Sequence, residues 1–245
     1  MPTLFIADLH LCEHRPELTV AFIAFLEQQA SRAQALYILG DLFEFWIGDD
    51  EQTALQQQVA AALRALRQRG VEIRFIHGNR DFLLGAHYAR EAGMTLLPAQ
   101  LRLRLGEQQI LLMHGDELCT LDLGYQRFRR ITGWSWLRHL FLALPLSWRQ
   151  RIARKMRQQS RGRQIQADAP WLDVTPAAVE QTLHQHQARV LIHGHTHKPA
   201  HHTLTVDGQP CSRWVLGDWE REYTYLQIDQ QGVIQLIRCP VPPLA

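Results

Sequence analysis

Leu4-Phe5-Ile6-Ala7-Asp8-Leu9-His10 carries an apolar run straight into an Asp-x-His pair, and the same pattern returns along the chain. Leu36-Tyr37-Ile38-Leu39 leads into Gly40-Asp41, and Phe75-Ile76 into His77-Gly78-Asn79-Arg80-Asp81. Leu111-Leu112-Met113 leads into His114-Gly115-Asp116, and Leu191-Ile192 into His193-Gly194-His195-Thr196-His197. Short apolar runs bounded by turn residues read as buried strands. Five strands thus end in His, Asp or Asn, usually beside a glycine that allows a tight turn. In open α/β sheets the carboxyl ends of strands form the ligand crevice, so chemistry at these ends predicts one shared site.

Helical patterns fill the gaps: Leu18 to about Ala30, Gln52 to Arg69, Phe82 to Ala92 and Pro176 to Gln187, with Gly70 and Gly93 as stops. Leu101–Leu105 and Gln109–Met113 flank Gly106-Glu107 as a hairpin. Thr203 to Ile237 alternates short strands around Asp207-Gly208 and Gln231-Gly232. Repeated β-α units followed by hairpins predict a layered α/β domain with a mixed sheet system. A chain of 245 residues at 46% hydrophobic and 20% charged has material for one such domain with an inserted subdomain. That composition excludes a disordered or collagenous chain. No apolar run reaches the roughly 20 residues of a membrane span. The start, Met1-Pro2-Thr3-Leu4, has neither basic leader nor cleavage site and is not read as a secretory signal. Cys12, Cys119, Cys211 and Cys239 lie far apart and read as reduced thiols of a cytosolic protein.

The net charge of +2 conceals a lopsided distribution. Leu123 to Ala167 holds 11 Arg or Lys and no acidic residue, against 15 basic and 24 acidic residues elsewhere. This stretch breaks the β-α rhythm and reads as a helical insertion, residues 123–167, in a core of residues 1–122 and 168–245. A segregated basic block implies an anionic partner. Leu and Trp between its arginines argue against a nucleic-acid groove, which would be polar.

Asp8, His10, Asp41, Asn79, His114, His195 and His197 are the candidate donors at the strand ends. Carboxylate, amide and imidazole without thiolate suit Mn²⁺, Fe²⁺ or Zn²⁺ better than Ca²⁺. Seven donors exceed one tetrahedral ion and match two ions sharing a bridging carboxylate and hydroxide. In Asp8-x-His10 and His195-x-His197, residues i and i+2 of an extended chain would face the same side. A two-metal centre clamps the attacking and leaving oxygens of an in-line displacement at phosphorus.

Asp-x-His, Gly-Asp, Gly-Asn-x-Asp, His and Gly-His-x-His together resemble the calcineurin-like metallophosphoesterase superfamily, from Asp8 to His197. The resemblance implies a four-layer α-β-β-α sandwich. It implies one metal at Asp8, His10, Asp41 and His197, and a second at Asp41 (bridging), Asn79, His114 and His195. Most members carry His after the Asn, where this chain has Arg80. A guanidinium is a poor proton donor but neutralises phosphate oxygens well. The substitution suits a phosphate leaving group, whose last pKa is about 6, and so cleavage of a pyrophosphate. The plain alternative is a salt bridge to Asp81.

Gly40-Asp41-Leu42-Phe43-Glu44, Trp46-Ile47-Gly48-Asp49-Asp50, His193-Gly194-His195-Thr196-His197-Lys198-Pro199 and Leu216-Gly217-Asp218-Trp219 are similar to one branch, the UDP-2,3-diacylglucosamine hydrolases (diphosphatases) of lipid A biosynthesis. That resemblance implies a Mn²⁺-dependent pyrophosphatase, with two ions per chain, bound peripherally to the cytoplasmic face of the inner membrane. It implies hydrolysis to UMP and 2,3-diacylglucosamine 1-phosphate, by metal-activated water at the phosphorus nearer uridine. Arg80 and His195 would stabilise the transition state, and Asn79, Arg80, Asp122, Ser160 and His195 would contact substrate. Gln164 and Ala167 depart from the family pattern at two further contacts. A monomer is expected.

The insertion fits a lipid substrate. Trp134, Trp136, Leu137, Leu140, Phe141, Leu142, Leu144, Leu146, Trp148, Ile152 and Met156 interleave with Arg138, Arg149, Arg151, Arg154, Lys155 and Arg157. Basic amphipathic helices with Trp and Leu lie in a bilayer interface. They would also wall a slot for acyl chains, as a lid, with arginines reaching the diphosphate. Dinucleoside polyphosphate hydrolysis, cyclic-nucleotide hydrolysis and a non-catalytic binding scaffold are the competing readings. The apolar lid disfavours both competing activities, and the intact donor set disfavours the scaffold.

Overall fold

The apolar runs pair into two sheets in the computed structural model, which describes residues 1–164, 173–220 and 222–241, without the side chains of 156–164. The first sheet contains β1 (Thr3–Ile6), β2 (Ala35–Leu39), β3 (Glu72–Ile76), β4 (Thr95–Leu96), β10 (Glu222–Ile228) and β11 (Ile234–Pro240), in the order β11-β10-β1-β2-β3-β4. Strands β1 to β4 are parallel, and β10 and β11 join antiparallel at the β1 side. The second sheet contains β5 (Gln100–Leu105), β6 (Gln108–Met113), β7 (Val190–His193), β8 (Ala200–Val206) and β9 (Gln209–Val215), in the order β5-β6-β7-β9-β8. Its middle strands β6, β7 and β9 are parallel.

Alternation along each strand divides the core into layers, because successive side chains face opposite sides of a sheet. Phe5, Tyr37, Leu39 and Ile76 of the first sheet meet Ile110, Leu112, Val190 and Ile192 of the second. Their neighbours Leu4, Ile6, Leu36, Ile38, Ile73 and Phe75 face outward onto α1 (Pro16–Gln28), α2 (Ala54–Gln68) and α3 (Ala86–Ala92). Leu111, Met113 and Leu191 take Val179 and Leu183 of α7 (Pro176–His186). Helix, sheet, sheet and helix form the four-layer sandwich. Both faces of each central strand are buried, so these strands read as continuous apolar runs.

Helix α2 starts at a capping box: Thr53 Oγ1 accepts from Gln56 N at 3.2 Å while Gln56 Oε1 accepts from Thr53 N at 3.0 Å. The pattern placed the start of α3 at Phe82, but it begins at Ala86. Asp49 explains the shift by capping this end from outside the helix. It accepts from the backbone N–H groups of Gly85, His87 and Tyr88 at 2.7, 3.0 and 3.0 Å.

Between β6 and α7 run α4 (Leu123–Thr132), α5 (Ser135–Leu142) and α6 (Leu146–Gln164). Neither α4 nor α5 buries a single residue. Of 13 large hydrophobics exposed among the described residues, 10 lie between Leu121 and Ile152, Trp136 and Trp148 each at 60% exposure. Two arginines tie this region down. Arg149 of α6 is buried, donates to Ile47 O at 2.6 Å and pairs with Asp50. Arg129 of α4 pairs with Asp116 at 2.8 Å and Glu117 at 3.1 Å. The basic block is therefore not uniformly available to an anion: Arg149, expected among the residues reaching a diphosphate, is spent on Asp50.

Candidate active site

The donors meet where the loops after β1, β2, β3, β6 and β7 converge. Extended alternation is not how they do so. Asp8, His10, Asp41, His195 and His197 all have positive φ, between 50° and 69°. L-residues rarely adopt this left-handed region, and such strain concentrates at functional sites. Cross-loop hydrogen bonds impose it. Asp8 N donates to Gly40 O at 3.1 Å, His10 N to Asp41 O at 3.0 Å, and Gly194 N to His114 O at 2.9 Å. The expectation of i and i+2 side chains sharing one face of an extended segment is thus corrected: tight left-handed turns aim them inward.

Each central carboxylate is pinned by one oxygen and open at the other. Asp8 Oδ2 accepts His195 N–H at 2.8 Å, and Asp41 Oδ1 accepts Arg80 N–H at 2.8 Å. Two glycines make room for these contacts: a Cβ at Gly194 would lie 2.1 Å from Asp8 Oδ2, and one at Gly78 2.1 Å from Asp41 Oδ1. The remaining oxygens face the histidines. Asp8 Oδ1 is 3.4 Å from His197 Nε2, and Asp41 Oδ2 is 3.9 Å from His10 Nε2 and 3.7 Å from His114 Nε2. His10 and His197 approach Nε2 to Nε2 at 3.2 Å. On the other side, Asn79 Oδ1 lies 2.8 Å from His114 Nε2 and 2.9 Å from His195 Nδ1.

All seven expected residues therefore lie in one cluster, in which Asp41 Oδ2 faces both His10 and His114. Ligand atoms about 2.0–2.2 Å from a metal lie roughly 3.0–3.5 Å from one another, and most of these spacings match that span or fall close to it. Asp8 Oδ1 is buried and makes no hydrogen bond, an atom that calls for a cation. The donor set fits two divalent ions. Asp8, His10 and His197 offer their donor atoms within 4.8 Å of one another, as do Asp8, Asp41 and His114.

The electrostatics agree. Burial pushes the His114 imidazole down, but the Asp41 and Asp8 carboxylates carry it up to about 9. Burial also opposes charge on His197, and Asp218 and Asp8 bring it up to about 10. His195 goes the other way, down to about 3, through burial and the nearby His114. The two carboxylates thus favour positive charge at the centre of the cluster.

Arg80 does not bridge to Asp81. Asp81 is occupied by the backbone N–H groups of Leu42 and Gly78, each at 2.8 Å, and of Asp41 at 3.3 Å, which lock the β2 and β3 loops together. The Arg80 guanidinium lies 4.0 Å from Glu44 instead. Asp122 caps α4, accepting from Tyr125 N at 2.9 Å. Ser160 and Gln164 fall in α6 where side chains are not described, and Ala167 lies outside the described residues.

Several residues at the site had no role in the sequence reading. Tyr125 donates to Asp116 and lies with its ring 5.9 Å from that of His195. Glu44 and Asp218 stand behind His10 and His197 at 3.3 and 3.2 Å. Glu44 and Asp218 belong to quoted motifs, which were the available signal, whereas Tyr125 had none beyond its place in α4.

A cavity of about 200 Å³ adjoins the site, and a second of the same volume lies beside the first. The first is polar and includes Asn79, His114, Asp116, Tyr125 and Arg129. The second is almost wholly apolar and includes Trp46, Leu83, Leu137, Phe141 and Ile152. Phe82, Phe128, Thr132 and Arg138 line both, so the donor cluster and the apolar cavity share a wall.

A family model described as calcineurin-like phosphoesterase matches residues 1–199. A UDP-2,3-diacylglucosamine hydrolase from Aeromonas salmonicida is 59% identical over 219 residues, 89% of this chain and 86% of that protein. Its counterpart in Tolumonas auensis is 53% identical over 98% of both chains. The Escherichia coli protein of the same name is 51% identical over 98% of this chain and 100% of its own. With the motifs, the fold and the buried carboxylate–histidine cluster all in agreement, the chain belongs to the calcineurin-like phosphoesterase family, among its UDP-2,3-diacylglucosamine hydrolases.

Proposed function

We propose that this chain hydrolyses the pyrophosphate bond of UDP-2,3-diacylglucosamine in lipid A biosynthesis, releasing UMP and 2,3-diacylglucosamine 1-phosphate. The observation that carries the reading is that the polar cavity at the donor cluster stands back to back with an apolar one walled by α4, α5 and α6. A substrate with a diphosphate at one end and acyl chains at the other matches that sequence of environments.

Two Mn²⁺ ions, one held by Asp8, His10, Asp41 and His197 and one by Asp41, Asn79, His114 and His195, would supply Lewis acidity and an activated water for attack on the phosphorus nearer uridine. The leaving group is then the sugar 1-phosphate, which needs charge neutralisation more than a proton. Arg80 provides it, its backbone held by Asp41 and its guanidinium set at the rim beside Glu44. His195, whose environment keeps its imidazole neutral, donates hydrogen-bond stabilisation to the phosphoryl oxygens. Asn79, Asp122 and Ser160 complete the substrate contacts. Residues 123–167 act as a lid on the core of residues 1–122 and 168–245, and the apolar faces of α4 and α5 take the acyl chains.

No helix of the described residues is long and apolar enough to cross a membrane. The exposed Trp134, Trp136, Leu140 and Trp148, near the exposed Arg130, Arg151 and Arg154, suit a peripheral seat on an anionic leaflet, the cytoplasmic face of the inner membrane. The protein acts there as a monomer. The deciding experiment is UMP release from UDP-2,3-diacylglucosamine in detergent with Mn²⁺, before and after chelation, beside soluble nucleotides. Chelator-sensitive release from the lipid alone is expected. Turnover of a soluble dinucleotide with none of the lipid would overturn the substrate and keep the metal chemistry.

A further inference from the structure

The loop Leu216-Gly217-Asp218-Trp219 is fastened on both sides of its carboxylate. Trp219 is buried edge-on to Phe22 and Phe25, with ring centroids 6.1 and 5.6 Å apart. Gly217 N donates to Thr224 Oγ1 at 2.8 Å, and the Thr224 hydroxyl donates back to Gly217 O at 3.2 Å. Between these anchors Asp218 Oδ2 sits 3.2 Å from His197 Nδ1. The other ring nitrogen of His197 faces Asp8 and His10. His10 also turns Nε2 into the cluster, and its buried Nδ1 lies 3.3 Å from Glu44 Oε2 in a charge contact without a formed hydrogen bond.

The second donor set is backed differently. His114 Nδ1 donates to the backbone carbonyl of Leu39 at 2.9 Å, and His195 lies against the Tyr125 ring. The outward nitrogen of His114 meets a neutral carbonyl, with Asp116 acting on the set from further off; in the first set a carboxylate stands beside the outward nitrogen of each imidazole. A carboxylate behind an imidazole keeps the proton on the distal nitrogen, turns the other lone pair inward and makes it a more basic ligand.

We infer that Asp218 and Glu44 are positioning residues that make the Asp8–His10–Asp41–His197 pocket the tighter of two divalent-cation sites. The first ion enters there, and the second completes the pair at Asn79, His114 and His195. This rests on the dinuclear reading above and adds to it an order of loading.

The test is a Mn²⁺ titration of the chelator-stripped full-length protein, with free Mn²⁺ followed by electron paramagnetic resonance. The natural chain should show two classes of site. Asp218→Asn should weaken the tighter class by about 10- to 100-fold and leave the weaker one in place. Glu44→Gln should do the same through His10, and covers the case in which Asp218→Asn does not fold. Asp218→Glu should recover part of the loss. Glu222→Gln, a carboxylate that lines a cavity together with His197 and Asp218 and pairs with Arg238 at 2.9 Å, should change neither class. An unchanged tighter class in both variants, or a loss confined to the weaker class, overturns the inference. If the natural chain binds no Mn²⁺, the dinuclear reading falls with it.

Discussion

The crevice at the ends of β1, β2, β3, β6 and β7 and the helices from Leu123 to Gln164 depart from the ordinary partition of residues in opposite directions. The crevice buries charge: Asp8 is 0% exposed, Asp41 and His114 2% each. The helices expose tryptophan and leucine that elsewhere in this chain would be core. Burying carboxylates and exposing large apolar patches both cost free energy. A sequence that breaks local rules does so at functional sites, and each departure names what offsets it. On the proposed function, cations would offset the carboxylates, and acyl chains and a bilayer surface would offset the tryptophans.

The comparison breaks most sharply at Asp41. Asp41→Ala removes the carboxylate that faces both His10 and His114, so UMP release should fall below detection and bound Mn²⁺ drop. Circular dichroism should still report a folded chain, because the substitution also removes a buried charge. An active Asp41→Ala protein would sink the shared-ligand reading.

Hydrophobes of the two regions should respond unequally. Phe5, fully buried between the sheets and stacked on Tyr37 at 5.2 Å, should cost about 3–5 kcal/mol on replacement by Ala, measured by urea unfolding. Asp50→Asn lies between the extremes. It leaves buried Arg149 with its bond to Ile47 O but without its ion partner, a loss of about 1–3 kcal/mol. It should also raise KM for the lipid substrate, since α6 walls the apolar cavity. Trp136→Ser with Trp148→Ser should move unfolding stability by no more than about 0.5 kcal/mol. Sedimentation with vesicles of anionic lipid should nevertheless fall severalfold. A large stability loss there would show that these rings pack on protein, and the contrast between the regions would disappear.

Much of the site was legible because its chemistry is local to strand ends. An apolar run followed by Asp, His or Asn reads directly, and five such runs placed all seven donors. The strands themselves were equally readable as apolar runs, but which residues of β1 and β2 face the inter-sheet core and which face the helices was not, because both faces are buried. The start of α3 was not, because Asp49 caps it across 36 residues. Nor was the fate of the basic block: Arg149 meets Asp50 across 99 residues, and a run of charge does not say which members find partners.

The sequence by itself determined the strand ends, the donor types, the absence of thiolate among them and the apolar content of the inserted helices. These are properties of short segments, set by periodicity and residue chemistry. Tertiary structure alone decided that Asp8, His10, Asp41, His195 and His197 stand at positive φ, that Asp41 faces both His10 and His114, and that a carboxylate stands behind His197 but a backbone carbonyl behind His114. The reason is physical. A strained backbone and an outward-turned imidazole are held by hydrogen bonds from loops far apart in the chain, and no local pattern encodes which loops will meet.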